Sequence, residues 1–158
     1  MVQSPSIADK RDTIEVKSPS TFEFLGQVKV ASTGDVRHAV ERGREAFKIW
    51  SALGFRERRR VLTDIRRRLL AQTDEVIDVI CRETGKPRFE ALMLEVAYCC
   101  DALKFYGRRA ERFLSPERVS PHLLKSKKVS IHYHPRGVIG IISPWNFPLV
   151  MTLGEAVP

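Results

Sequence analysis

The chain has 158 residues, a net charge of +8 and a mean hydropathy of -0.22, and 43% of its residues are hydrophobic. This composition is typical of a globular chain that forms one domain or part of one, and it gives no reason to expect disorder. No apolar run approaches the ~20 residues of a membrane span, and Met1–Lys10 lacks the pattern of a secretory signal, so a cytoplasmic location is expected. Three cysteines without a C-x-x-C spacing indicate neither a disulfide framework nor a zinc site.

The first predicted elements are two short strands. Ile14 and Val16 alternate with charged residues, and after a turn-forming stretch Phe24 and Val28 keep the same period of two. This alternation predicts a hairpin or the edge of a sheet. Residues 1–12, which precede it, are expected to form a flexible N-terminus.

A helix is predicted to follow directly. The segment Ser32–Asp35 has the form of a capping box, in which a serine and an acidic side chain satisfy backbone N–H groups at the start of a helix. Apolar residues then recur on one face of the helix, and Gly43 lies on that same face. Because glycine destabilises a helix interior by roughly 1 kcal/mol, we expect Gly43 to serve close backbone packing.

Two more helices are predicted before the next proline. The second covers Arg56–Ala71 and the third covers Thr73–Thr84, with Thr73 as a possible cap of the first turn. Gly85 suits the left-handed position that ends a helix, and Pro87 prevents the helix from continuing. The segment Glu83–Pro87 is therefore first of all a helix stop.

The concentration of arginine favours a competing hypothesis, in which the chain binds nucleic acid or another anionic surface. Apolar residues of the second helix recur at helical intervals, which leaves the arginines to cover the remaining faces as a solvated coat. No zinc finger, aromatic RNA-binding motif or helix-turn-helix pattern accompanies the charge, so nucleic-acid binding is disfavoured. The basic residues concerned are Arg56, Arg58, Arg59, Arg60, Arg66, Arg67, Arg68, Arg108, Arg109 and Arg112.

The next predicted element is a long helix with an apolar stripe. We expect Cys99 to pack on this stripe as a small apolar residue and Cys100 to point elsewhere. Glu95 and Asp101 are expected to be solvated charges without a role, as is usual on an amphipathic helix. The stripe consists of Leu92, Val96, Cys99, Leu103 and Tyr106.

Residues 115–135 are predicted to be a polar surface connector that ends in a strand. From Val129 to Tyr133 apolar residues alternate with polar ones, which places His132 and His134 on one strand face. Two such histidines can bind a metal, but no third ligand has a suitable spacing, so an exposed polar face is expected and no metal site is predicted.

The last quarter of the chain is the most informative. Val138–Ile142 is a short apolar run without alternation, as expected for a parallel strand that is covered on both faces. Pro144 and Pro148 then fix a loop that holds Trp145 and Asn146 in place. Open α/β sheets bind ligands at such strand ends, and an asparagine amide is a suitable donor to a developing oxyanion.

The segment Ile141–Pro148 resembles the Pro-Trp-Asn signature of the aldehyde dehydrogenase superfamily, and the earlier helices and the segment Glu83–Pro87 fit the same pattern. The resemblance implies an α/β fold in which residues 13–114 are the N-terminal strands and helices of the cofactor-binding domain. Residues 115–135 would be a connector with a strand that bridges subunits. Residues 136–158 would be the first strand of a Rossmann-like parallel sheet and its loop.

The resemblance also implies a reaction, the oxidation of a small-molecule aldehyde to a carboxylic acid with NAD or NADP. In the family a cysteine thiolate forms a thiohemiacetal and then a thioester, and a glutamate activates the water that hydrolyses it. Asn146 matches the catalytic oxyanion donor. The residues that match the cofactor-contacting strand end and loop are Ile142, Ser143, Pro144, Trp145 and Asn146.

The family's nucleophilic cysteine and general base lie beyond the point that corresponds to Pro158, and no Gly-rich phosphate loop occurs in this sequence. The three cysteines of the chain precede the Pro-Trp-Asn loop and do not fit the nucleophile's place. We therefore expect the isolated chain to be inactive. The alternatives are a non-catalytic module that docks on a complete dehydrogenase, or the basic binder already considered; complete family members are homo-oligomers, and no membrane partner is expected.

Overall fold

The computed structural model describes residues 13–158, so the predicted flexible segment 1–12 lies outside the described residues. The described chain begins with an antiparallel hairpin of β1 (Thr13–Lys17) and β2 (Phe24–Lys29), in which Ile14 pairs with Val28. The period-two alternation thus predicted the hairpin correctly, because each strand places alternate side chains on opposite faces.

Three helices follow, α1 (Thr33–Ala52), α2 (Phe55–Ala71) and α3 (Thr73–Thr84); α1 begins where predicted, and α2 and α3 lie close to their predicted bounds. The capping box at α1 is confirmed. The Asp35 backbone N–H donates to the Ser32 hydroxyl at 3.1 Å, and the Ser32 backbone N–H donates to the Asp35 carboxylate at 2.8 Å. These hydrogen bonds from the Ser32 backbone and side chain lower the pKa of the Asp35 carboxyl below its usual value of 3.8.

The role predicted for Thr73 is wrong. Gln72 occupies the N-cap position of α3, and the Thr73 hydroxyl instead donates back to the carbonyl oxygens of Leu69 and Leu70, at 3.2 and 2.9 Å. Since α3 begins only one residue after α2 ends, Thr73 satisfies the last carbonyls of the preceding helix. At the other end of α3, Gly85 adopts φ 75°, which confirms the predicted left-handed stop.

The predicted long helix is present, but its first part is wider than an α-helix. It comprises α4 (Arg88–Glu90), a π-helical segment (Ala91–Ala97) and α5 (Tyr98–Leu114), which follow one another without a break. A π-helical turn contains one more residue than an α-helical turn, so it shifts which residues face the core. The buried residues are Ala91, Glu95, Val96, Cys99, Cys100, Ala102 and Leu103.

This shift corrects two predictions about the apolar stripe. Leu92 was expected on the buried face, yet 38% of it is exposed, and Cys100 was expected to point away, yet it is buried. Cys99 is fully buried, as predicted. Cys100 belongs to the core cluster between α3 and the π-helical segment, together with Ile77, Ile80, Ala91 and Val96. A strict 3.6-residue period cannot anticipate this arrangement, because the π-helical segment breaks the period.

The connector contains a strand that the sequence analysis did not predict. β3 (Glu117–Val119) pairs antiparallel with β4 (Val129–Ile131), so that Val119 lies opposite Val129. All residues of both strands are exposed. The hairpin therefore stands apart from the buried core.

The run Val138–Ile142 forms no strand in the described chain. A β-strand exists only through hydrogen bonds to a neighbour, and no other described segment pairs with this one. Ile142 is accordingly fully exposed. Val138 is 41% exposed but lies against α1, where a Cβ atom on Gly43 would be 3.1 Å from its side chain, and this confirms that Gly43 serves close packing.

A short helix, α6 (Val150–Ala156), ends the described chain. It packs beside the long helix, where Gly154 faces the Tyr98 ring. No helix among residues 13–158 is both long enough and apolar enough to cross a membrane.

Candidate active site

The loop between Pro144 and Pro148 has a shape fixed by its own hydrogen bonds. The Thr152 hydroxyl donates to the Pro148 carbonyl oxygen at 2.7 Å and lies 2.7 Å from the Ser143 hydroxyl. Because the only proton of the Thr152 hydroxyl goes to Pro148, the Ser143 hydroxyl must be the donor in the second contact. The first turn of α6 is thereby connected to both ends of the loop.

Four of the five candidate site residues are exposed on this loop. Ile142 is 100% exposed and Trp145 is 86% exposed, and Asn146 is exposed beside them. The Asn146 side chain makes no hydrogen bond to any described residue. Its amide N–H groups are therefore free to donate to a bound molecule, and exposed apolar side chains precede it in the sequence.

Ser143 behaves differently from the other four predicted residues. It is half-buried and its hydroxyl is engaged with Thr152, whereas Ile142 and Trp145 face outward. The structure thus brings four of the residues together at the exposed surface and turns the fifth toward α6.

The principal residue that the sequence analysis missed is Glu95. It was expected to be a solvated charge, but its side chain is 0% exposed, so that prediction is wrong. One carboxylate oxygen accepts hydrogen bonds from the backbone N–H groups of Leu149 (2.8 Å) and Val150 (3.4 Å). The other oxygen forms an ion pair with Lys86. The π-helical segment places Glu95 inside the core instead of on the solvated face.

Lys86 completes this arrangement from the loop that follows α3. Its side chain is 11% exposed, and its ammonium nitrogen lies 3.7 Å from the centroid of the Phe147 ring. A cation over an aromatic face is attracted by the ring's quadrupole, more strongly where water is excluded. The Glu83–Pro87 segment is therefore a helix stop, as predicted, and it also contacts the Pro-Trp-Asn loop.

A sequence signal for Glu95 existed. It is the only charged residue between Ala91 and Ala97, a stretch that is otherwise apolar. Burying a carboxylate costs more free energy than burying any of its apolar neighbours. A single carboxylate in such a stretch therefore indicates that a cation or a hydrogen-bond donor compensates its charge in the fold.

The cysteines of the long helix are not suited to nucleophilic attack. Burial, and to a smaller extent the nearby Cys100 and Glu95, raises the pKa of the Cys99 thiol to about 11. Burial also raises the pKa of Cys100, against the opposing effect of Arg66. A nucleophilic cysteine needs a lowered pKa and access to substrate, and these two residues have neither.

Several arginines take part in packing within the fold. The Arg58 guanidinium lies over the rings of Trp50 and Phe55 and donates to the Ser51 carbonyl oxygen at 3.1 Å. Arg109 lies over the Phe105 ring. Because these guanidinium groups pack on aromatic rings of the same chain, they argue against a basic ligand-binding surface.

The histidines of the β4 region show no metal-binding arrangement. The His132 ring nitrogen Nε2 lies 2.9 Å from the Ser130 hydroxyl. Within residues 13–158 no group of three or more His, Cys, Asp or Glu side chains is placed to hold a metal ion.

Comparison with known proteins places this geometry in a family. Residues 7–158 match the sequence profile of the aldehyde dehydrogenase family. The mitochondrial succinate-semialdehyde dehydrogenase of Arabidopsis thaliana is 35% identical over 146 residues, which are 92% of this chain and 27% of that protein.

Solved structures agree. An NADP-dependent enzyme of E. coli superimposes with a TM-score of 0.82 at 26% identity, over 92% of this chain and 30% of that one. The indole-3-acetaldehyde dehydrogenase AldA of P. syringae, solved with NAD+ and IAA, gives a TM-score of 0.81 at 27% identity, over 92% of this chain and 29% of that one.

The chain thus spans less than a third of the length of these relatives. The predicted fold class, α/β and corresponding to the N-terminal part of an aldehyde dehydrogenase fold, is confirmed, even though the first parallel strand is not hydrogen-bonded here. Because the family match covers nearly all of the chain, this protein belongs to the aldehyde dehydrogenase family.

Proposed function

We propose that this chain supplies the oxyanion-binding loop of an enzyme that oxidises an aldehyde to a carboxylic acid with NAD or NADP. The observation that carries the proposal is the exposed, unpaired amide of Asn146 on a loop held between two prolines, in a chain of this family. In the reaction the carbonyl oxygen gains negative charge when a thiolate adds to its carbon. A preorganised amide N–H stabilises that charge in the transition state.

The cofactor would lie against the same loop. Ile142 and Trp145 offer exposed apolar surface beside Asn146, which fits the flat ring of a nicotinamide. When bound, NAD or NADP accepts the hydride from the aldehyde carbon. The chain's own residues would bind and orient the cofactor. Pro144 and Pro148 restrict the backbone of the loop, and the hydrogen bond between Ser143 and Thr152 attaches the start of the loop to α6.

On this proposal the nucleophile and the general base are supplied by residues outside the described chain. The pKa of Cys99 and the burial of Cys99 and Cys100 remove these two thiols from consideration. All three cysteines are free, which fits a reducing compartment, and we propose the cytoplasm.

The test is NAD(P)H formation by the gene product purified from its own cells, with a panel of aldehydes that includes succinate semialdehyde. Asn146→Ala should lower kcat by about 10² to 10³, because one oxyanion donor is lost. Gln27→Ala, which removes an exposed amide in β2, is the matched control and should leave kcat unchanged. Failure of the parent protein to oxidise any aldehyde, or full activity of Asn146→Ala, would contradict the proposal.

We further propose that the apolar side of the β3–β4 hairpin contacts a second subunit. Val129, Ile131 and Tyr133 are each about half exposed and belong to one alternating series, so they form an unpartnered apolar edge. Ile131→Lys should reduce the mass measured by light scattering, whereas Ser130→Lys on the opposite face should not. Copurification of a different, longer dehydrogenase subunit would favour the docking module instead.

Binding to nucleic acid or to an anionic surface is the remaining alternative. It predicts an affinity that falls steeply with salt concentration. The packing of Arg58 and Arg109 on aromatic rings speaks against it.

A further inference from the structure

Glu95 connects two parts of the chain that are far apart in sequence. Its carboxylate, buried in the π-helical segment, accepts from the backbone N–H groups of Leu149 and Val150, which follow it by 54 and 55 residues. These two donors lie at the beginning of α6, where N–H groups have no partner inside the helix. The carboxylate thus satisfies donors that would otherwise be left unpaired.

Both oxygens of the carboxylate are used. Burying an unpaired carboxylate is strongly unfavourable, so its position is fixed by the groups that compensate it. Lys86 compensates the charge on one oxygen, and the two backbone N–H groups share the other. Lys86 also lies against the Phe147 ring. The pair therefore holds the chain at Phe147 and at Leu149, on either side of Pro148 and directly after Asn146.

The other contacts of the loop restrict its conformation more than its position relative to the helical core. The bonds among Ser143, Thr152 and Pro148 all lie within the segment from the loop to α6, so the segment can move as one piece without breaking them. Leu149 packs on the core cluster, but apolar contact is not directional. Among residues 13–158, the directional contacts between the helical core and the loop are those made by Glu95 and Lys86.

We propose that Glu95 and Lys86 are positioning residues that set the location of the Asn146 amide relative to the helical core. The inference rests on the proposed function, in which Asn146 stabilises an oxyanion. Donors of this kind act only if they are held in place before the reaction, and a displacement of about 1 Å can lower the rate by about 10²-fold.

One feature of the sequence makes a direct test possible, because Asn146 is the only asparagine in the chain. Labelling the 158-residue chain with asparagine that carries 15N at both nitrogens gives two kinds of signal in a 1H–15N NMR spectrum, one backbone amide peak and one pair of side-chain NH2 peaks. In Glu95→Gln both signals should shift, and hydrogen exchange at Leu149 and Val150 should accelerate by at least about 10-fold, since these N–H groups lose a charged acceptor. Glu90→Gln, at an exposed position of α4, is the matched control and should change neither readout.

A second variant separates positioning from stability. Lys86→Met combined with Glu95→Leu replaces the ion pair by apolar side chains, an exchange that buried pairs often tolerate without loss of stability. Because the Leu149 and Val150 N–H groups also lose their acceptor, this variant should unfold at a lower temperature than the parent chain but at a higher one than Glu95→Ala, and it should still shift the Asn146 signals. Unchanged Asn146 signals together with unchanged exchange at Leu149 and Val150, in either variant, would overturn the proposal.

The catalytic readout distinguishes this inference from the proposed function. In the gene product purified from its own cells, Glu95→Gln should lower kcat by about 10- to 100-fold and leave KM for the aldehyde nearly unchanged, because the loss is specific to the transition state. If the parent protein oxidises no aldehyde, the proposed function fails, while the NMR and exchange results still decide the positioning role. If the parent is active and Glu95→Gln retains its kcat, the positioning role fails and the proposed function stands.

Discussion

The helical core and the Pro-Trp-Asn loop are built by different means. In the core, side chains of α3 and the π-helical segment such as Ile77, Ile80 and Val96 are buried against one another. In the loop, Ile142 and Trp145 remain exposed, and the backbone is held by a buried carboxylate that belongs to the core. The core is thus held by apolar contacts among its own side chains, whereas the loop backbone is held by hydrogen bonds to a charged residue of that core.

The largest effect on stability is expected where the two regions meet. Glu95→Ala should lower the free energy of unfolding by about 3 to 5 kcal/mol, because it leaves the Lys86 ammonium buried without its partner. Chemical denaturation followed by circular dichroism measures this. The double variant Lys86→Met/Glu95→Leu should lie closer to the parent chain, because it leaves no unpaired ammonium; equal destabilisation by both variants would show that the lost acceptor of the Leu149 and Val150 N–H groups, and not the unpaired charge, is responsible.

A smaller loss is expected from the core by itself, and almost none from the exposed run before the loop. Leu103→Ala should destabilise the chain by about 2 to 5 kcal/mol, because Leu103 is nearly fully buried. Ile142→Ala removes an exposed side chain and should change stability by less than about 0.5 kcal/mol. Denaturation midpoints of the two variants give the comparison. Similar losses would mean that Ile142 is covered in solution.

The N-cap of α1 should contribute less to the free energy of unfolding than Leu103 does. Ser32→Ala removes the hydroxyl that accepts from the Asp35 N–H and should cost about 1 kcal/mol. Thr73→Ala is the informative control, since Thr73 does not cap α3 and donates only to carbonyls of the preceding helix. A loss at Thr73 as large as that at Ser32 would restore the capping role that the sequence suggested.

The last effect is a loss of stability at alkaline pH. The pKa of Cys99 is raised from 9.0 to about 11 in the folded chain, so the neutral thiol is favoured by folding. Its contribution to stability is fully present below pH 9 and is lost as the pH rises through about 11. Cys99→Ala should therefore have a shallower alkaline decline than the parent, measured by thermal unfolding from pH 8 upward. Parallel declines would contradict the raised pKa.

The sequence predicted the parts of the fold that depend on neighbouring residues. The β1–β2 hairpin, the start of α1, the bounds of α2 and α3, the Ser32 cap and the Gly85 stop each follow from alternation, capping or backbone preference over a few positions. The Pro-Trp-Asn loop was recognisable for a similar reason, because its prolines and asparagine lie within one short segment.

The failures share a physical cause, which is dependence on distant contacts. The π-helical segment redirected Leu92 and Cys100, and the run Val138–Ile142 has no neighbouring strand to pair with in the described chain. Thr73 was misjudged because the end of α2 lies within reach of its hydroxyl. Local periodicity carries no information about any of these contacts.

Local sequence was enough to identify the family, the first three helices and the residue proposed to bind the oxyanion. The burial of Glu95, and the contacts that Glu95 and Lys86 make to the chain on either side of Pro148, arise only in the folded structure. The reason is that the cost of burying a carboxylate is offset by N–H groups more than fifty residues away and by an ammonium from another loop. Local sequence therefore predicts a solvated carboxylate at Glu95, whereas in the fold this carboxylate is buried and contacts the chain next to the candidate site.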